Sequence, residues 1–173
     1  MSRVRLLRGK GDHPSQEKEG EAKEVRIALD AMGGDRAPRV IVEGAIQALR
    51  EYKDLEIILV GDEKRVKKEL SKYRTKGLSL SIIHASQVVE MDELPTTALR
   101  EKKDSSIMVA ARLVRERKAQ AIVSAGNTGA AMVATKVVLG TLEGIARPTI
   151  ATLIPHLYGV SILTDVGANV DCT

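Results

Sequence analysis

From residue 25 onward, short apolar runs alternate with stretches whose apolar residues recur at helical spacing. Residues 25–29 (VRIAL), 55–60 (LEIILV), 78–83 and 121–124 (AIVS) read as short strands that are nearly all apolar, as burial on both faces requires. Between them, Val40, Ile41, Ala45, Ile46 and Leu49 predict a helix from about Pro38, a residue suited to a first turn because its missing N–H is not needed there. Val66 and Leu70 mark the inner side of a second helix, whose lysine-rich outer side reads as a solvated face. Ile107, Met108, Ala111, Leu113 and Val114 mark a helix over about 105–118, and a helix of small residues runs to about Leu139. Residues 85–104, with Pro95 among them, show no period and read as irregular. Residues 149–154 and 160–164 read as two more strands, joined by Pro155-His-Leu-Tyr-Gly159, short enough for a hairpin-type return. The order β-α-β-α-β-α-β-α-β-β implies an α/β fold with a largely parallel sheet and helices on both faces.

The first 23 residues break this pattern. They carry Arg3, Arg5, Arg8 and Lys10 and then a run rich in Glu and Lys without apolar periodicity, so residues 1–23 are expected to form a disordered charged tail and 24–173 the folded unit. The tail has no apolar segment of signal-peptide type, and Glu17, Glu19 and Glu21 speak against an organellar transit peptide. No stretch approaches the roughly 20 apolar residues of a membrane-spanning helix. Phe and Trp are absent, so the core is aliphatic and aromatic platforms for stacking nucleic-acid bases are missing; no nucleic-acid partner is expected. The single Cys172 cannot form an internal disulfide, which makes a reducing cytoplasmic setting the default. No spacing of His, Cys or carboxylates matches a zinc site, and His84 and His156 read as incidental residues at strand ends, so neither a metal nor an organic cofactor is expected.

Chemistry concentrates where strands end. Asp30-Ala-Met-Gly-Gly-Asp35 sets two carboxylates on either side of a turn of minimal bulk, with Gly33 and Gly34 at its centre. Asp30 and Asp35 could supply a general base, orient a basic side chain or a substrate, or help bind a metal, while Asp35 could equally cap the next helix. Ser124-Ala-Gly-Asn-Thr-Gly129 opens a helix, so Ser124, Gly126, Thr128 and Gly129 are candidate phosphate or oxyanion ligands, and Asn127 adds a donor. Arg100, Lys102 and Lys103 precede Ser105 and Ser106 at another helix start, an arrangement suited to phosphate, though one of the serines could simply be a cap. Asp165, Gly167, Asn169 and Asp171 form a third polar glycine loop, in which Asp165 is a further catalytic candidate and Gly167, Asn169 and Asp171 are candidate phosphate ligands. Neither G-x-G-x-x-G nor G-x-x-x-x-G-K-[ST] occurs, which removes the dinucleotide fingerprint and the P-loop. The chain stops on the third loop with no helix to cover its last strands, and a second half is expected beyond it.

Four segments in this order, Asp30 to Asp35, Pro95 to Ser106, Ser124 to Gly129 and Asp165 to Asp171, resemble the phosphate acyltransferases of bacterial phospholipid synthesis, the PlsX family. The resemblance covers about Val25 to Asp171. It implies a Rossmann-like three-layer α/β/α sandwich akin to isopropylmalate dehydrogenases and phosphotransacetylases, here in its N-terminal half. It also implies transfer of a fatty acyl group from acyl carrier protein to inorganic phosphate, giving acyl phosphate. A homodimer, peripheral association with the membrane and a downstream membrane acyltransferase follow from the same likeness. The residues leave two alternatives open: a phosphotransacetylase-like enzyme acting on coenzyme A thioesters, and a non-catalytic or assembly fragment of a split enzyme.

Overall fold

The computed structural model describes residues 24–145 and 148–164. Four parallel strands form its centre: β1 (Val25–Asp30), β2 (Leu55–Gly61), β3 (Leu80–His84) and β4 (Ala121–Val123), in the spatial order β3-β2-β1-β4. They are joined through α1 (Arg39–Glu51), α2 (Glu63–Leu70), α3 (Pro95–Glu101) and α4 (Ser106–Arg115), and α5 (Thr128–Leu139) follows β4. The sequence expectation of a parallel α/β sheet holds.

Strand β2 shows why the sheet needs cover on both sides. Its side chains alternate, so Ile57 and Leu59 pack with Val42, Ala45 and Leu49 of α1 and Val66 of α2. Ile58 and Val60 instead pack with Ala28 of β1 and Val109, Ala110 and Leu113 of α4. Burying each of these β2 side chains contributes roughly 1.5–3 kcal/mol. A third cluster, touching the sheet at Ile122 of β4, joins Leu99 of α3, Met108 and Ala111 of α4, and Ala130, Ala134 and Val138 of α5. The α4–α5 seam is built from small residues, which suits close helix approach without aromatic filling.

Local chemistry sets the helix ends. Asp62 accepts a hydrogen bond from the Arg65 N–H at 2.9 Å and starts α2. Asn127 accepts from the Ala130 N–H at 3.0 Å and starts α5, while Gly140, at φ +82°, ends it. Pro38 is the N-cap of α1 rather than its first helical residue, and no side chain caps that end, so Asp35 is not a helix cap.

Two expectations need correction. Residues 95–101 of the segment read as irregular form α3, because Pro95 occupies its first turn, where proline initiates rather than breaks a helix. The last two strands, β5 (Ala151–His156) and β6 (Gly159–Thr164), do not extend the parallel sheet. They form an antiparallel hairpin with Leu153 opposite Ile162, and every residue of both strands is exposed.

Candidate functional site

The strand order reverses direction between β1 and β4, since β2 and β3 lie to one side of β1 and β4 to the other. In an open parallel sheet a crevice forms outside the strand ends at such a point, and ligands bind there. The loops leaving β1 and β4, Asp30 to Asp35 and Ser124 to Gly129, meet at this position.

Their meeting is held by a short relay. Asp30, almost fully buried, accepts the Met32 N–H on Oδ1 at 3.1 Å and the Ser124 hydroxyl on Oδ2 at 2.8 Å. Ser124 Oγ in turn accepts the Gly126 N–H at 3.1 Å. The glycines are there because the two backbones touch. A Cβ on Gly33 would lie 2.6 Å from Asp30 Oδ2, 2.8 Å from the Gly126 nitrogen and 2.9 Å from Ser124 Oγ. Gly34 adopts φ +101°, a conformation that side-chain-bearing residues rarely take, with the Ala125 carbonyl against it. Asp30, Ser106, Ser124, Gly126 and Asn127 line a cavity of about 10 Å³, close to the minimum for one water molecule.

Beside this knot a larger cleft of about 410 Å³ opens between the β1–α1 loop and residues 88–92. Gly34, Asp35, Arg65, Glu90 and Asp92 contribute its polar lining, with Met32 and Met91 among its apolar walls. Arg65 stands at the start of α2 as the cleft's basic side chain and makes no ion pair among the described residues. Sequence reasoning missed it, because it lay inside a basic run that reads as ordinary solvated surface.

The remaining candidates divide by what they already hold. Besides capping α5, Asn127 donates its amide to the carbonyls of Met91 at 3.1 Å and Glu93 at 3.0 Å. Lys102 donates to the Val88 carbonyl at 2.7 Å and pairs with Glu93. Both side chains thus brace the wall of the cleft. The Lys102 hydrogen bond also holds the Glu93 carboxyl below its ordinary range. The whole excursion from Ser86 to Ser105 is tied at its neck. Asp104 accepts from the Ser86 N–H at 2.9 Å and hydroxyl at 2.6 Å, bonds that hold its carboxyl below the usual range. Gln87 bridges to Ser105 and accepts the Asp104 N–H at 3.0 Å.

Ser105 occupies the N-cap of α4 without making a side-chain cap bond, and its hydroxyl is buried with no partner among the described residues. Ser106 is buried beside the small cavity. The backbone N–H groups of Thr128 and Gly129 have no acceptor among the described residues, as expected of a helix first turn. Gly129 packs against Pro95, where a Cβ would lie 2.7 Å from Cγ. Arg100 and Lys103 are exposed and line neither the cleft nor the small cavity. Asp165, Gly167, Asn169 and Asp171 lie outside the described residues. Among the described residues no group of three or more His, Cys, Asp or Glu is placed to hold a metal, and no helix is long and apolar enough to cross a membrane.

Fold and site together define an open parallel α/β domain with two polar glycine loops gathered at the switch point of the sheet. The chain belongs to the family described as "Fatty acid synthesis protein", whose model matches residues 25–173. It is 52% identical over 149 residues to a phosphate acyltransferase of Magnetococcus marinus, covering 86% of this chain and 43% of that relative. It is 51% identical over 149 residues to a phosphate acyltransferase of Syntrophomonas wolfei, covering 86% and 47%. With the Pelotomaculum thermopropionicum phosphate acyltransferase the identity is 53% over 148 residues, covering 86% and 43%. The chain therefore spans under half the length of these relatives.

Proposed function

We propose that this chain carries the switch-point part of a phosphate acyltransferase, which moves a fatty acyl group from the thioester of acyl carrier protein to inorganic phosphate. A thioester is already activated. A phosphate oxygen attacks its carbonyl carbon, the C–O bond forms, the C–S bond breaks, and the thiolate leaves and takes up a proton. The protein must therefore place a multiply charged nucleophile and stabilise an oxyanion, with no covalent enzyme intermediate.

The residues fit a division of labour. Both oxygens of Asp30 already accept hydrogen bonds, so it acts as a positioning residue that shapes the Ser124–Gly126 turn. The uncommitted N–H groups of Thr128 and Gly129 are suited to an oxyanion or a phosphate oxygen. Asp35, exposed on the large cleft, is suited to orient phosphate or take its proton. Lys102 and Asn127 hold the cleft wall, while Gly167, Asn169 and Asp171 complete the proposed substrate-binding set and Asp165 is a further candidate to orient or deprotonate phosphate. The homodimer, the membrane association and the downstream membrane acyltransferase belong to this reading as well.

The observation that carries the proposal is the meeting of the two glycine loops at the strand reversal, in a chain whose relatives bear this name. Its test is conversion of palmitoyl–acyl carrier protein and phosphate to acyl phosphate, trapped with hydroxylamine as the hydroxamate. Phosphate-dependent hydroxamate is expected. Absence of product from both the carrier-protein and the coenzyme A thioester, with this chain alone and with the remaining portion of the Magnetococcus marinus relative added, would overturn it. A second reading is favoured by the exposed apolar hairpin: the chain is an assembly half, inactive until complemented. Turnover only in the complemented mixture is its signature, and preference for coenzyme A over carrier protein marks the phosphotransacetylase-like alternative.

A further inference from the structure

The positive charge of this chain is unevenly placed. Residues 63–76 hold seven cations against two carboxylates, a net of +5, whereas the whole chain carries +4, so everything else sums to −1. All seven cations are exposed. Lys67 and Lys72 pair with Glu63 and Glu69, while Lys64, Arg65, Lys68, Arg74 and Lys76 make no ion pair among the described residues. This charge flanks a concavity. Between α2 and the edge strand β3 lies a groove of about 440 Å³, with part-exposed Leu70, Leu78, Leu80 and Ile82 in its walls and Glu63 and Lys67 beside them. On the other side of α2, Arg65 lines the large cleft. One short helix thus separates a partly apolar groove, whose own Glu63 and Lys67 pair with each other and whose neighbours along the chain are the unpaired cations, from the proposed reaction site.

We propose that the α2–β3 groove and its basic surround dock an acidic amphipathic helix of the carrier protein that brings the acyl thioester, leaving the thioester arm to enter the cleft past Arg65. The proposal rests on the acyltransferase reading given above and names the docking surface for its donor. Charge complementarity selects an acidic partner and gives it rapid, salt-sensitive encounter. The recess selects a protein helix over a bilayer, because a flat anionic membrane meets the cations without filling a groove, whereas an amphipathic helix lays apolar residues into one.

Binding of palmitoyl–acyl carrier protein to the full chain, measured by titration calorimetry, tests the proposal. The triple variant K64E/K68E/R74E should bind at least about tenfold more weakly. The neutral set K64Q/K68Q/R74Q should fall between it and the unmodified chain, and raising ionic strength should weaken the unmodified chain in the same way. Turnover of palmitoyl-coenzyme A should not change in either variant. Carrier affinity equal in all three proteins would overturn the proposal. So would variants that lose binding only to phosphatidylglycerol vesicles, which would assign the patch to a membrane. If neither thioester yields acyl phosphate while carrier binding still follows the patch, the acyltransferase reading fails and the docking surface stands.

Discussion

The switch-point knot and the β5–β6 hairpin belong to one chain and have opposite fates. At the knot, glycine backbones approach so closely that no side chain fits between them, and a nearly buried carboxylate has both oxygens engaged. In the hairpin, Leu153, Leu157, Tyr158, Val160 and Ile162 are more than half exposed, and strand pairs only with strand. The knot is finished within this chain. The hairpin has secondary structure without a core, and a lone two-stranded hairpin is at best marginally stable in water. Pairing of backbones therefore tells little about which parts of this chain are self-sufficient, while burial tells a great deal.

The sharpest way to break this comparison is to insert a methyl group at the knot. Gly33→Ala should cost about 1–3 kcal/mol or more, since the atoms it meets are backbone and a fixed carboxylate, and thermal unfolding measures it. Asp30→Ala and Asn127→Ala should each cost about 1–3 kcal/mol by stripping partners from part-buried donors. Asn127→Ala should also speed amide exchange in residues 90–93. Gly44 supplies the converse. It sits in α1 beside an apolar groove with Val123 of β4, and a Cβ there meets nothing within 4 Å. Gly44→Ala should thus stabilise this chain by about 0.5–1 kcal/mol, and a loss in the complemented assembly would show that the groove is filled there. At the hairpin, Leu153→Ser with Ile162→Ser should move stability by less than about 0.5 kcal/mol each. The smallest effect is on pH. The folded value of Glu93 lies below its ordinary 4.5, so its pair with Lys102 adds stability above that range and loses it as pH falls through the lower, folded value. Lys102→Met should flatten the acid limb of a melting-temperature profile.

How much of this was legible in the sequence follows from the range of the interactions. Apolar runs such as 55–60 announce buried strands because both faces must be covered, and the four parallel strands were read from them. The glycine loops were visible as a group because their composition is local. What a side chain does once folded was not visible. Asn127 and Lys102 carry donors that suit a substrate, yet their partners, 34 and 14 residues away at Glu93 and Val88, occupy them structurally. Pro95 looked like an interruption, since its place at a helix start depends on what precedes it. The short link at 155–159 announced that the last two strands pair with each other, but nothing local announced that their hairpin stands apart from the parallel sheet.

The neck of the 86–105 excursion has an engineering consequence. Because Ser86, Gln87, Asp104 and Ser105 fasten its two ends to each other, the span between them is insulated from the β-register. The entropy of closing such a span grows only slowly with its length. Residues could be inserted at its exposed turn over 90–92, ahead of the α3 side chains that pack in the core, and the cleft wall reshaped there while the scaffold beneath stays as it is.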